Sequence, residues 1–240
     1  MRIQVDLMHF QKLNEMVKSC DDEVIELDNC IGQRYIAAGK KNGSVIINGT
    51  PGNALGAYLD GCDIVVNGNA QDACGDTMNK GSITIYGSAG DATGYAMRGG
   101  TIYVRENSGY RTGIHMKSYM EHIPALVIGG KAGSFLGEYQ AGGYIVVLGI
   151  GYENKNVVGR FCGTGMHGGK IFLRTNKAPW DLPAQVKYKE ADSGDMSEIS
   201  GYVKSFCEKF EMNYDEIINS RFFVLTPDTK NPYKQLYTDN

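Results

Sequence analysis

Residues 82–100 read SITIYGSAGDATGYAMRGG, and the stretch that follows, from Thr101, begins TIYVRENSGYRTGIHM. Laid over one another, they place Ile83/Ile85 on Ile102/Val104, Gly90 on Gly109 and Gly94 on Gly113. Aliphatic residues two apart are the alternation of a strand with one buried face. The recurring glycines exclude a helix, where each would cost about 1 kcal/mol relative to alanine.

Working outward, the anchors Gly49, Gly68, Gly87, Glu106, Gly130 and Gly149 are separated by 19, 19, 19, 24 and 19 residues. Ahead of them stand the further pairs Val45/Ile47, Ile64/Val66, Leu126/Ile128 and Ile145/Val147. Weaker copies at Ile25/Leu27 and Ile171/Leu173 bring the count to eight coils. A strand and a glycine turn at a fixed interval fit a solenoid, in which every coil adds one strand to a parallel ladder and turns in the same place. The expected fold is therefore all-β, a single-stranded right-handed parallel β-helix with helical caps at both termini. Eight rungs at about 4.8 Å make it about 38 Å long. Two excursions break the period, one near Lys117–Pro124 and one at Gly151–Val158.

The expected domains are a cap over 1–24, the β-helix over 25–174 and a helical extension over 175–240. Residues 8–19 read as an amphipathic helix with Phe10, Leu13 and Val17 on one face. Asp195 and Glu198 look like a capping pair ahead of Ile199, Tyr202, Val203, Phe206 and Phe210, whose spacing is helical. Asn213 and Glu216 open a second helix, and Phe222–Leu225 form a last strand before a polar tail with Pro227 and Pro232. Residues 175–194 are expected as a loop along the solenoid.

Composition narrows the function. Thirty-two glycines among 240 residues are nearly twice the usual share, yet only six prolines accompany them, which excludes collagen. The net charge of -3 is scattered, with no basic run to grip nucleic acid. The longest apolar stretch, nine residues at Tyr144–Tyr152, falls short of the roughly 20 needed to span a membrane. With no signal-peptide pattern at the start, a cytoplasmic location is expected. Six cysteines lack CxxC spacing and are read as small buried hydrophobes, so no metal site is expected.

Candidate chemistry is sparse. Gly163–Gly168 matches a dinucleotide fingerprint as a string, but a strand rather than a helix is expected next. Asp72, Asp76 and Asp91 lie on the corners, where carboxylates hold turns by accepting backbone amides; the alternative is calcium or carbohydrate chemistry. Met78, Met97, Met116 and Met166 recur as core filler. Arg111, His115, Lys117, Tyr119 and His122 are the densest polar group and the candidate partner-docking site.

The coils around Met97–Gly100, Arg105–Gly109, Gly142–Gly149 and Met166–Gly169 resemble the glycine-rich GXGXG repeat found in the C-terminal domain of the glutamate synthase large chain. The separately encoded, glutamate synthase-like version is the nearest in length. The resemblance implies a non-catalytic scaffold that couples amidotransferase and FMN-containing synthase subunits, glutamine amide transfer to 2-oxoglutarate being performed by those partners. FMN and an iron-sulfur cluster are then expected only in the partners, with no catalytic, cofactor-binding or metal residue in this chain. One of the subunits of formylmethanofuran dehydrogenase shares the repeat, so a scaffold of that oxidoreductase type is the alternative, ahead of an independent carbohydrate-active β-helix. A homo-oligomer is compatible with either scaffold.

Overall fold

The computed structural model describes residues 1–228. In chain order the elements are β1 (Arg2–Gln4), α1 (Phe10–Ser19), β2 (Val24–Ile31), β3 (Ser44–Thr50), β4 (Asp60–Asn67), β5 (Lys80–Ile85) and β6 (Thr101–Val104). There follow β7 (Ala125–Ile128), β8 (Ala141–Val147), β9 (Gly168–Arg174), β10 (Val186–Glu190), α2 (Ser193–Phe210), α3 (Tyr214–Ile218) and β11 (Phe222–Pro227). Strands β1 to β9 pair in parallel, each with the next, and β11 and then β10 extend the sheet antiparallel beyond β9.

The aliphatic pairs stack as the period requires. One column runs Ile25, Val45, Ile64, Ile83, Ile102, Leu126, Ile145, Ile171; the other runs Leu27, Ile47, Val66, Ile85, Val104, Ile128, Val147, Leu173. All sixteen side chains are at most 1% exposed. A second, thinner parallel ladder joins Ala70, Ala89, Ser108, Ala132 and Val158 on successive coils. The architecture is a parallel β-helix.

The glycines of each coil have two different jobs. A Cβ on Gly133 would lie 2.7 Å from Gly109 O, 2.8 Å from Gly109 C and 2.8 Å from Tyr110 N, so here backbone rests on backbone. Gly113 instead adopts φ +71°, and a Cβ there would lie 2.5 Å from the Ile145 methyl of the second coil on. One glycine sets the coil separation; the other makes room for the core.

Several expectations about the termini need correction. The chain opens with β1, an extra parallel rung on β2, before α1 covers that end with Leu13 and Val17. At the other end α2 is a flank cover rather than an end cap: Ile199, Val203 and Phe206 pack on the outer face of the sheet against Tyr103, Val127, Val146 and Phe172. The end itself is continued by β11 and β10. The segment expected as a loop over 175–194 contains β10, whose exposed Lys187, Tyr188, Lys189 and Glu190 hide the strand's apolar signature and blunt it as an edge. The strand read as Phe222–Leu225 extends to Pro227, while Pro232 lies outside the described residues.

The capping box of α2 also shifts. Asp192 is the N-cap and exchanges hydrogen bonds with Asp195 at N3, while Glu198 pairs with Lys170 at 2.6 Å. Lys170 also reaches Asp195 at 3.0 Å, and Lys189 reaches both Asp192, at 2.6 Å, and Asp195, at 2.7 Å. Asp192 is held down to about 2 by the Lys189 hydrogen bond and then by the Asp195 amide. Burial pushes Asp195 up, but the bonds from Lys189 and Lys170 outweigh it and leave it lowered. Carboxyls depressed in the folded state stabilise it above the ordinary aspartate range, near 4, and lose that contribution as pH falls through their folded values. Between about pH 4 and about 2, the first turns of α2 should therefore open. Amide exchange at Asp195–Val203, corrected for the intrinsic rate, should rise there while the solenoid amides stay protected; equal protection at pH 2 and 7 would refute this.

Candidate functional site

Between its strand and the next, each coil turns through a segment in which every second residue is left-handed. In successive coils the outer positions are Ala54 and Tyr58, Ala73 and Thr77, Ala92 and Ala96, Arg111 and His115, Phe135 and Tyr139, all at φ +48° to +61°. The middle position of each is one of the room-making glycines: Gly56, Gly75, Gly94, Gly113 and Gly137. A left-handed non-glycine residue costs roughly 1–2 kcal/mol, so the segment needs compensation. Hydrogen bonds between coils supply it: Arg111 N and His115 N donate forward to Ser134 O and Glu138 O, each at 2.9 Å, while Gly113 N donates back to Thr93 O at 2.8 Å. The outer residues of this turn side project away from the core.

Along this side the chemistry changes. The early coils carry Ala54, Ala73 and Ala92 with Asp72, Asp76 and Asp91. The later ones carry a ridge in which Tyr110 meets Phe135 (5.2 Å), Phe135 meets Phe161 (4.9 Å) and His115 stacks on Tyr139 (5.1 Å). The Arg111 guanidinium lies over the Tyr110 ring at 5.0 Å and over Phe135 at 5.6 Å. Its Nε is 2.9 Å from a carboxylate oxygen of the buried Glu138. That oxygen has no partner of hydrogen-bond geometry, so the contact is ionic.

The candidate docking residues thus divide. Arg111 and His115 occupy the two outer positions of one turn, four residues apart. Lys117 is exposed where the excursion leaves the coil, its amide donating to Met97 O at 3.0 Å. Tyr119 and His122 close a small hairpin, exchanging backbone bonds at 3.1 and 3.0 Å. At its tip Tyr119 is 50%, Met120 80% and Ile123 47% exposed. Among the described residues no hydrogen bond or ion pair joins the five side chains to one another. The residues missed by sequence reading are Glu138, Tyr110, Phe135, Tyr139 and Phe161. For Phe135 and Tyr139 a positional signal was available: like Arg111 and His115, they fall five and nine positions after their anchors.

The corner aspartates serve the stack. Asp72 Oδ1 accepts the Asp91 amide at 2.9 Å, and Asp91 Oδ1 accepts the Tyr110 amide at 2.8 Å. Asp76 accepts the Thr77 hydroxyl at 2.8 Å. Gly163–Gly168 leads into β9, not a helix. Met78, Met97, Met116 and Met166 are fully buried. Five cysteines are buried and Cys20 is partly so; burial raises Cys74 and Cys162 to about 12, far from the thiolate form a nucleophile needs. Among the described residues no three His, Cys, Asp or Glu are grouped to hold a metal ion, and no helix is long and apolar enough to cross a membrane.

Two hollows remain. A cleft of about 620 Å³ separates α1 from the first coil, where Lys40 Nζ donates to Cys20 O at 3.4 Å and Val17 O at 3.5 Å, satisfying the end of the helix. A shallower one of about 280 Å³ lies between the excursion and α2, lined by Ser118, Ile123, Tyr144, Lys170 and Glu198. Burial, and then its bond to Glu198, pushes the Tyr144 hydroxyl upward.

Comparison with known proteins agrees with this geometry. An uncharacterized protein of Methanocaldococcus jannaschii is 43% identical over 244 residues, covering 96% of this chain and 94% of that protein. A chain in the crystal structure of the formyltransferase/hydrolase complex (FhcABCD) from Methylorubrum extorquens, in complex with methylofuran, superposes with a TM-score of 0.62. The match covers 92% of this chain and 88% of the other, and at 16% identity it is a likeness of fold. The family model described as the GXGXG motif matches residues 12–228, and this chain belongs to that family.

Proposed function

We propose that this chain is a scaffold subunit, without chemistry of its own, in a multi-subunit complex of the oxidoreductase type. The observation that carries the reading is the excursion: a hairpin that exposes apolar side chains and projects from a stack of coils in register. Exposed Tyr119, Met120 and Ile123 on a rigid support are what a docking element needs. The corner carboxylates argue against an independent carbohydrate-active enzyme, because Asp72 and Asp91 sit on adjacent coils but each is engaged by the next coil's amide.

Formylmethanofuran dehydrogenase-type assembly is the first choice of complex. Its support is the end-to-end fold likeness to a chain of the FhcABCD complex. Assembly with amidotransferase and FMN-containing synthase subunits is the second, favoured by the Met97–Gly100 and Met166–Gly169 motifs. FMN and iron-sulfur chemistry would then belong to those partners.

Affinity isolation of the full chain from its native cell should recover stoichiometric catalytic subunits. Formylmethanofuran dehydrogenase-type partners would support the first reading, and an amidotransferase with a flavin protein the second. Deleting residues 119–123, the five-residue excess, restores the 19-residue interval, so it should leave the melting temperature nearly unchanged and reduce partner recovery at least tenfold. Recovery of the chain alone, with turnover of its own, would overturn both.

A further inference from the structure

We propose that the Asn42–Gly43 pair is a site of spontaneous deamidation, and that the isoaspartyl link it yields loosens the α1 end of the solenoid. The chain contains three Asn-Gly pairs, at 42–43, 48–49 and 67–68. An asparagine before glycine loses its side-chain amide most readily, because glycine has no Cβ to shield its nitrogen. The fold treats the three pairs differently. Asn48 lies within β3, its Nδ2 donating to Asp28 Oδ1 at 2.7 Å while its Oδ1 accepts from Asn67 Nδ2 at 2.7 Å. Asn67, the last residue of β4, is held by that same bond. Asn42 instead is exposed in the loop ahead of β3, and its side chain makes no hydrogen bond among the described residues. The Gly43 amide likewise donates to no acceptor among them.

The reaction needs only what the loop and the solvent supply. Gly43 N gives its proton to solvent and attacks the side-chain carbonyl carbon of Asn42. That C–N bond forms, the bond to Nδ2 breaks, and ammonia leaves. Water then opens the resulting succinimide at one of its two carbonyls. Opening at the side-chain carbonyl gives aspartate; opening at the main-chain carbonyl sends the backbone through Cβ and Cγ, an isoaspartyl link. Nothing is oxidised or reduced. At Asn48 or Asn67 the same attack must first break the side-chain amide ladder and turn a strand residue out of its rung.

Residue 42 lines the cleft beside α1 with Lys40 and Lys41, neither of which is in an ion pair among the described residues. Either product adds a carboxylate to that wall, ionised at neutral pH. The isoaspartyl link also adds one backbone atom directly ahead of Gly43. There Gly43 O accepts the Asp63 amide at 3.0 Å and Ser44 N donates to Glu23 O at 2.8 Å. The longer chain pulls on both rungs, so these bonds open more often.

The site is at the α1 end and does not depend on which complex the chain joins. For the test, the full chain is aged in warm, mildly alkaline buffer beside a sample unfolded in urea, and fragment mass spectrometry places each mass gain on its residue. In the folded chain Asn42 should gain one mass unit at least tenfold faster than Asn48 or Asn67, and resolve into aspartyl and isoaspartyl isomers. In urea that tenfold preference should be lost. Asn42→Gln should remove the fast site and leave the melting temperature unchanged. The purified isoaspartyl chain should exchange the Ser44 and Asp63 amides at least tenfold faster than fresh protein, with β6 to β9 unaffected. Equal rates at the three pairs in the folded chain overturn the proposal, as does no gain at Asn42 while the urea sample reacts. An aspartyl product without its isomer overturns the succinimide step, and unchanged exchange overturns the loosening.

Discussion

Gly133→Val should abolish the folded solenoid or lower its melting temperature by at least about 6 °C. The three atoms nearest the new Cβ are backbone of the preceding coil, at 2.7 to 2.8 Å. A flexible side chain could swing aside; a hydrogen-bonded rung has nowhere to go. Relief requires opening the coil separation, which breaks the bonds from Gly133 N to Ser108 O and Gly109 O, both 3.1 Å. Overpacking of about 3 kcal/mol or more, at about 2–4 °C per kcal/mol for a chain of this size, gives the drop. Gly201→Ala is the matched control. It lies on α2 with nothing within 4 Å of its Cβ, so it should stabilise by about 1 kcal/mol, measured by thermal or urea unfolding. A Gly133→Val protein melting within about 2 °C of wild type would refute the stacking account.

The largest single loss is expected for Ile83→Asp. Ile83 is completely buried, paired with Ile64 on one side and Ile102 on the other, its methyl reaching into the space beside Gly56 and Gly75. Both aliphatic columns are built of apolar side chains alone, so no cation stands beside the new acid. An unpaired carboxylate there must fold in its neutral form, because burial disfavours the charge. The variant loses the isoleucine packing, worth about 2–5 kcal/mol as a deletion, and bears in addition the cost of keeping the acid protonated. That second cost has a sign: a carboxyl raised in the folded state penalises folding above its unfolded value, near 4, and increasingly so as pH rises. The deficit relative to wild type should therefore be greater at pH 8 than at pH 5 in urea titrations. Equal deficits would mean that the aspartate has escaped to water and the columns are not closed.

Period and interior were legible because stacking is unforgiving. A side chain in one coil must fit its equivalent above and below, so Ile64, Ile83 and Ile102 repeat, and a fixed interval betrays them. The candidate docking group was half legible. Arg111 and His115 stood out as polar residues near an irregularity, but their shared left-handed geometry was hidden, since alanine, phenylalanine and arginine all occupy that position without a common chemical mark. Glu138 was invisible for a similar reason: its ionic partner, Arg111, comes from the preceding coil. Strand β10 was masked by the charges that protect its edge. The helix start moved by three residues because two aspartates, Asp192 and Asp195, form the box in place of a hydroxyl and a glutamate. The flank position of α2 follows from outward-facing Tyr103, Val127 and Phe172, which a reading centred on the inward columns passes over.

A ladder whose every rung is equivalent also behaves as a ruler. Adding nineteen residues inserts one complete coil and moves everything beyond it by one strand spacing, about 4.8 Å, while each existing column keeps its neighbours. Insertions of any other length must leave the stack, as the five extra residues between Glu106 and Gly130 do in forming the hairpin at Tyr119–His122. Evolution of such a chain is therefore quantised. The separation between whatever binds at the α1 end and whatever binds beside β9 can change only in whole coils, whereas the contact surfaces at each end can vary freely.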